Sequence, residues 1–249
     1  MPTVLITGTS SGFGLDTAKR FLDRGWNVVA TMRTPREDLL PRSDRLTVLP
    51  LDITDRGSIE RAIAAAGPLD AVVNNAGVGA AVPLELTTME TARALLETNT
   101  LGTLAVAQAV LPQMRARGEG VIVNVTSSVT LKPLPLVGFY SATKAAVNAL
   151  TESLAIEVEP FGVRVRLVLP GRAPSTKFGS NALVLPQADD QNAYSEFARK
   201  VFASLRDSSG PITEGQDVAE AVWRAVTDPS APMRIPAGKD AEALMPKAG

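Results

Sequence analysis

The chain has 249 residues, 45% of them hydrophobic, and a formal net charge of −1. It contains no cysteine and no histidine, which excludes disulfides, thiolate nucleophiles, Ser-His-Asp triads and imidazole or thiolate metal sites, so no metal is expected. Near-neutral charge without a basic cluster argues against a nucleic-acid partner, and acid–base chemistry near pH 7 is left to carboxylates, lysine, tyrosine or a cofactor.

Residues 3–7 form an apolar run that reads as a buried strand. No run reads as long and apolar enough to cross a bilayer, and the first residues lack the basic start of a signal peptide, so a soluble cytoplasmic protein without a membrane partner is expected. After Gly8-Thr-Ser-Ser-Gly12-Phe-Gly14, Leu15, Ala18, Phe21 and Leu22 follow at helical spacing, and Gly25 ends that helix. Residues 26–32 and 46–51 read as strands, separated by a polar, proline-containing stretch over 33–45. Asp55 and Ser58 are candidate caps of a helix reaching Ala66, stopped by Gly67-Pro68. Residues 69–74 are a fourth strand. Residues 88–117 are a long helical stretch that Pro112 is expected to kink or divide. A strand over 121–125, a helix over 139–159 and a strand over 163–169 come next. From Pro170 to about Pro211 the rhythm breaks down, with amphipathic pieces at Phe197, Val201, Phe202 and Leu205. Val218, Ala221, Val222, Ala225 and Val226 mark one more helix, and a short strand is expected near 233–235.

Strands apolar on both faces that alternate with helices imply a parallel sheet covered on both sides. The expected fold is α/β, a single-domain doubly wound Rossmann fold with about seven parallel strands and helices on both faces. Residues 1–249 form one domain in this reading, with 172–215 as an irregular substrate-binding or lid segment. Ligands of such folds bind at the carboxyl ends of the strands, where the glycine loop, Asn74–Gly77, Ser127 and Pro170-Gly171 all fall.

The loop Thr7-Gly8-Thr-Ser10-Ser11-Gly12-Phe13-Gly14 lies between a strand and a helix, where glycines permit a sharp turn and close approach to a pyrophosphate. The end of the second strand carries Met32 and Arg33, with no acid before Glu37. An acid there would hold the ribose 2′-hydroxyl of NAD, whereas Arg33 suits a 2′-phosphate, which favours NADP(H) over NAD(H). Arg33 is otherwise a solvated loop residue. Asn74–Gly77 serves a turn or a site. Asn99 sits at a helix position that its propensity does not favour, and either faces solvent or is functional. In Tyr140-Ser-Ala-Thr-Lys144 a phenol and an ammonium lie four residues apart, on one helix face, and a neighbouring positive charge is expected to lower the tyrosine pKa.

Taken together, these motifs resemble the short-chain dehydrogenase/reductase family, from Thr7 to about Ser175. The resemblance implies that Gly8, Ser10, Ser11, Gly12, Phe13 and Gly14 hold the cofactor pyrophosphate, and that Asp52 and Ile53 meet adenine. It implies that Asn75, Ala76 and Gly77 support the central strand and the adenine side. Counting thirteen residues back from Tyr140 selects Ser127 rather than Ser128 as the catalytic serine, with Asn99, Tyr140 and Lys144 completing the set. Pro170 and Gly171 would line the nicotinamide, with Ser175 or Thr176 reaching its carboxamide or the pyrophosphate. Where members often carry a glycine soon after that serine, this chain has Val129-Thr-Leu-Lys-Pro133, which leaves the pocket shape open.

The implied activity is hydride transfer between NADP(H) and a largely apolar ketone or secondary alcohol. Tyr140 would exchange the proton, Ser127 would hydrogen-bond the carbonyl oxygen, Lys144 would lower the Tyr140 pKa and hold the ribose, and Asn99 would anchor a water near Lys144. The apolar wall would include Leu134, Leu136, Val137, Phe139, Phe178, Leu183, Val184 and Leu185. A 3-oxoacyl-carrier ketoreductase and a non-enzymatic nucleotide sensor are the alternatives. A homodimer or homotetramer through helices 88–117 and 139–159 is expected from the resemblance.

Overall fold

In the computed structural model, residues 1–174, 183–184, 193–206 and 209–246 are described. The period-two alternation of strand β1 (Thr3–Thr7) sends Val4 and Ile6 to one face of a sheet and Leu5 to the other, all fully buried. Strands β2 (Asn27–Met32), β3 (Leu46–Pro50), β4 (Ala71–Asn74), β6 (Gly120–Val125), β7 (Val163–Pro170) and β9 (Arg234–Ala237) complete a seven-stranded sheet. Its order is β3-β2-β1-β4-β6-β7-β9 and every pairing is parallel. The order reverses between β1 and β4, which places a crevice at their carboxyl ends.

Two cores sandwich this sheet. On one face α1 (Gly12–Asp23) and α7 (Gly215–Thr227) lay Ala18, Phe21, Val218, Val222 and Ala225 over Val4, Ile6, Val73 and Val123. On the other, α2 (Arg56–Ala66) and α4 (Gly102–Arg117) lay Ile59, Ile63, Val106, Val110 and Met114 over Leu5, Val72 and Ile122. Asp55 caps α2 by accepting from the Gly57 amide, and Ser58 instead accepts from the Asp52 amide. The helix α5 (Gly138–Val158) packs along β7.

The long stretch departs from expectation in where its irregularity lies. Helix α3 (Met89–Leu96) passes into α4 through a π turn at Glu97–Leu101, whereas α4 runs unbroken through Pro112. The extra residue of the π turn turns Asn99 fully inward, which offsets its poor helix propensity by hydrogen bonding. Residues Met89–Arg117 also form, against expectation, a helical run with the length and hydropathy (1.2) of a membrane span. Its apolar face is used inside the protein, since Leu95, Val106, Val110 and Met114 are fully buried.

One further feature comes from tertiary pairing that no local pattern announces. Strand β5 (Ala80–Ala81) pairs in parallel with β8 (Leu183–Val184), apart from the main sheet. Phe197 and its neighbours form one regular helix, α6 (Ser195–Arg206), within the segment expected to be irregular. A short helix, α8 (Lys239–Glu242), follows β9.

Arg164 on β7 shows how a charge stabilises the packing. Its guanidinium donates to the carbonyls of Ala225, Val226 and Asp228 (3.4, 2.8 and 3.2 Å), so a cation closes the C-terminal end of α7. Replacing it leaves those carbonyls without that donor. Arg164→Met is expected to lower stability by about 1–3 kcal/mol, read as a lower urea midpoint at unchanged slope. An unchanged midpoint would show the cap to be unimportant.

Candidate active site

The glycine loop after β1 is held by side chains from the opposite side of the crevice. Thr7 Oγ1 accepts from the amides of Asn75 and Ala76, both at 3.0 Å. The Asn75 side chain donates back to the carbonyls of Thr7 (2.9 Å) and Gly8 (3.2 Å). The two strand ends are thereby clasped. A Cβ at Gly8 would lie 2.8 Å from Ala76 Cα, and Gly8 has φ +73°, so both space and conformation require glycine. A Cβ at Gly14 would lie 2.4 Å from both Gly8 O and Asn75 Nδ2. Ser11 precedes α1 with no side-chain cap, and the first turn of α1 carries no acid. Its leading N–H groups thus suit an anion such as a pyrophosphate.

The remaining cofactor candidates surround this loop. Ser10 is exposed, and Gly12 and Phe13 begin α1. Asp52 and buried Ile53 follow β3. The Asp52 carboxyl accepts from the amide and hydroxyl of Thr54, and with a smaller contribution from the Arg33 charge these hold its pKa below the usual carboxylate value. Arg33 itself is exposed beyond the end of β2. Ser175 and Thr176 lie outside the described residues, as do Phe178 and Leu185.

The four catalytic candidates come together. Tyr140 and Lys144 lie on the buried face of α5, at 7% and 5% exposure, and Ser127 follows β6 at 8%. Tyr140 is hydrogen-bonded to Ser127. Lys144 Nζ donates to the Val125 carbonyl at 3.1 Å. A Cβ at Gly77 would meet both Asn99 Oδ1 (3.0 Å) and Lys144 Nζ (3.3 Å), so these groups crowd one spot. The Asn99 amide is a clamp: Oδ1 accepts from Val78 N, and Nδ2 donates to Val78 O and to Thr143 Oγ1, all within 2.9–3.1 Å. Thr143 Oγ1 in turn donates to the Tyr140 carbonyl (2.7 Å).

The electrostatics correct one expectation. The Tyr140 pKa is raised rather than lowered, because burial disfavours the phenolate more than the Ser127 hydrogen bond favours it. Burial also brings Lys144 down to about 8, since its ammonium loses water. Thus the tyrosine is kept protonated and the lysine is the more readily deprotonated of the two.

Two residues that sequence reasoning missed shape the loop after β7. Thr213 Oγ1, fully buried, accepts from the Gly171 amide (2.9 Å), and the Asp240 carboxylate accepts from the Arg172 amide (2.6 Å) and Thr213 Oγ1 (2.7 Å). They hold Pro170 and Gly171 in place at the crevice from 42 and 68 residues away, with no local motif to mark them. Leu136, in the wall between Ser127 and Tyr140, has φ 65°, and its carbonyl accepts from Val82 N. A non-glycine residue in this region is held by its surroundings. Two surface grooves, of about 350 Å³ between α2 and α4 and about 240 Å³ between α4 and α5, contain none of the candidate residues.

The fold and this crevice define a dinucleotide-binding α/β protein of Rossmann type. A family model described as short chain dehydrogenase matches residues 2–182. The chain is 32% identical to 3-ketodihydrosphingosine reductase of Bacteroides thetaiotaomicron, covering 98% of this chain and 90% of the relative. It is 31% identical to human retinol dehydrogenase 8, over 93% of this chain and 80% of that protein. A short-chain dehydrogenase structure from Streptomyces avermitilis superposes with a TM-score of 0.82 at 31% identity, covering 98% and 91% of the two chains. One from Burkholderia cenocepacia in complex with NADP gives 0.78 at 28% identity, covering 98% and 90%. A 3-ketoacyl-(acyl-carrier-protein) reductase from Brucella melitensis complexed with NADH gives 0.79 at 26%, covering 94% and 96%. The chain therefore belongs to the short-chain dehydrogenase/reductase family and is an NAD(P)-dependent oxidoreductase.

Lys144 also sets a pH dependence of stability. Its folded pKa of about 8 lies below the ordinary 10.5, so between these values the unfolded chain binds more protons and folding stability rises with pH. The urea midpoint of the cofactor-free protein is expected to climb from about pH 8 towards pH 10, and Lys144→Met to remove that climb. An identical climb in the variant would assign it elsewhere.

Proposed function

We propose that the protein reduces a largely apolar ketone, or oxidises the matching secondary alcohol, with NADP(H). The observation that carries this reading is the Ser127–Tyr140 hydrogen bond beside buried Lys144. In this reading the nicotinamide supplies or accepts the hydride. Ser127 donates a hydrogen bond to the carbonyl oxygen as negative charge develops. Tyr140, kept protonated by burial, gives its proton to that oxygen. Lys144 holds the nicotinamide ribose and returns a proton to Tyr140. Asn99 fixes Val78 and Thr143 on either side of this group through its side-chain amide. Asn99 is also proposed to anchor a water that links Lys144 to solvent, from which Lys144 regains its proton.

Gly8 to Gly14 bind the pyrophosphate, Asp52 and Ile53 flank adenine, Asn75 to Gly77 back the loop, and Pro170 and Gly171 face the nicotinamide. Ser175 retains its proposed cofactor role. Arg33, exposed where an acid would select NAD, supports the preference for NADP(H). The wall of Leu134, Leu136, Val137 and Phe139, none of them exposed, supports an apolar substrate. So do the names of two relatives, since 3-ketodihydrosphingosine and retinol are both lipids. The segment 172–215, much of which lies outside the described residues, is proposed to bind substrate, and a cytoplasmic location is proposed with this reading.

Fluorescence titration with NADPH and NADH, followed by NADPH oxidation with long-chain ketones and 3-oxoacyl thioesters, tests this reading. The expected result is tighter NADPH binding that Arg33→Ala weakens, and turnover with ketones that Tyr140→Phe lowers by about 10²–10⁴-fold. Preference for NADH overturns the role of Arg33, and an active Tyr140→Phe overturns the proton donor. Turnover confined to thioesters would indicate an acyl-carrier ketoreductase, and binding without turnover a sensor.

A homo-oligomer is proposed through the helices over 88–117 and 139–159, supported by Ile156 and Leu150 on α5, which are 75% and 39% exposed. Sedimentation is expected to show a dimer or tetramer, and Ile156→Glu to shift it towards monomer. A monomeric parent protein would refute the interface.

A further inference from the structure

The segment after Ser127 carries Val129 and Thr130 where a glycine was expected, and it folds as one 3₁₀ turn over Ser128–Thr130. Ser127 caps this turn, its hydroxyl accepting from Val129 N at 3.3 Å. Thr130 Oγ1 donates to the Ser127 carbonyl at 2.9 Å. A hydroxyl has one proton, so having given it to Ser127 this oxygen can only accept from a further partner. That partner is Asn148, whose Nδ2 donates to it at 3.0 Å. Asn148 lies on α5 one turn beyond Lys144 and two beyond Tyr140, on the same buried face, at 5% exposure.

The direction of this relay has a consequence for Asn148. Its amide must point NH₂ towards Thr130, which leaves Oδ1 pointing away, buried and without a hydrogen-bond partner among the described residues. A buried carbonyl left unpaired is destabilising, and an apolar residue of similar volume would avoid the penalty. Asn148 is therefore poorly explained as a packing residue. It is well explained as the donor that fixes the turn bearing Ser127 to the helix bearing Tyr140 and Lys144.

We propose that Asn148 and Thr130 are positioning residues that set the Ser127 hydroxyl relative to Tyr140, at a cost in stability. This rests on the catalytic reading of Ser127 given above. The helix and the serine turn come from separate stretches of chain, and only a cross-link can hold their hydroxyls to the sub-ångström tolerance that charge stabilisation requires. The effect falls on the chemical step, because neither residue is proposed to touch cofactor or substrate.

The test compares Thr130→Val, Thr130→Ser, Asn148→Leu and Ser127→Ala, each assayed for kcat, KM, NADPH affinity and melting temperature with a ketone found to be turned over. Thr130→Val is expected to lower kcat by about tenfold with KM and NADPH affinity within about twofold, and Thr130→Ser to recover most of that loss. Asn148→Leu is expected to lower kcat by a similar factor while its melting temperature stays level or rises, which a merely structural residue would not do. If Thr130→Val keeps full kcat, or Thr130→Ser falls as far as Thr130→Val, the relay does not position the serine. A lower melting temperature for Asn148→Leu with unchanged kcat per folded molecule would make Asn148 structural. Ser127→Ala separates the two layers: if it retains activity, the catalytic reading of Ser127 fails, whereas an inactive Ser127→Ala with a fully active Thr130→Val overturns the relay alone.

Discussion

The site depends on placing one ammonium group inside the protein. Lys144 is 5% exposed and its nitrogen donates to Val125 O, so a group that is strongly hydrated in water is held at the end of a buried strand. Several other features follow from that burial. Its neighbours at Gly77 and Asn99 must stay small or already paired. The same dry environment keeps the Tyr140 phenol protonated. In open solvent neither group would be perturbed, and the pair would be an unremarked tyrosine and lysine on a helix.

The rest of the crevice shows the same economy of means. Three places around it are tied by side chains from distant parts of the chain. Thr7 and Asn75 join the ends of β1 and β4. Asn99 and Thr143 join the π turn to α5. Thr213 and Asp240 join the end of β7 to the C-terminal part of the chain. Hydrogen bonds of this kind contribute modestly one at a time, but in a buried network each removes a freedom that the others leave. The ends of β1, β4 and β7 are then held in one rim without any long loop being intrinsically stiff.

Much of this was legible in the amino-acid sequence because it is written locally. The apolar runs of β1, β4, β6 and β7 and the glycine spacing at residues 8, 12 and 14 predict the sheet and its loop. Tyr140, Lys144 and Ser127 were found by spacing within a family resemblance, and the structure brings them together. What escaped was set by distant partners. The π turn is stabilised by what Asn99 meets across the fold, so composition pointed instead to Pro112. The β5–β8 pairing is two residues long and joins positions about a hundred residues apart, below what periodicity can register. The Tyr140 shift was misjudged because a neighbouring charge is visible in sequence whereas the loss of water is not.

The tie from Asp240 and Thr213 to Gly171 and Arg172 also orders events during synthesis. A growing chain that has released β1 to β7 already has six strands of the sheet and the clasped glycine loop. It still lacks Thr213 and Asp240, the partners of the Gly171 and Arg172 amides. The loop of Pro170 to Arg172 therefore reaches its tied geometry only once Thr213 and Asp240 have docked.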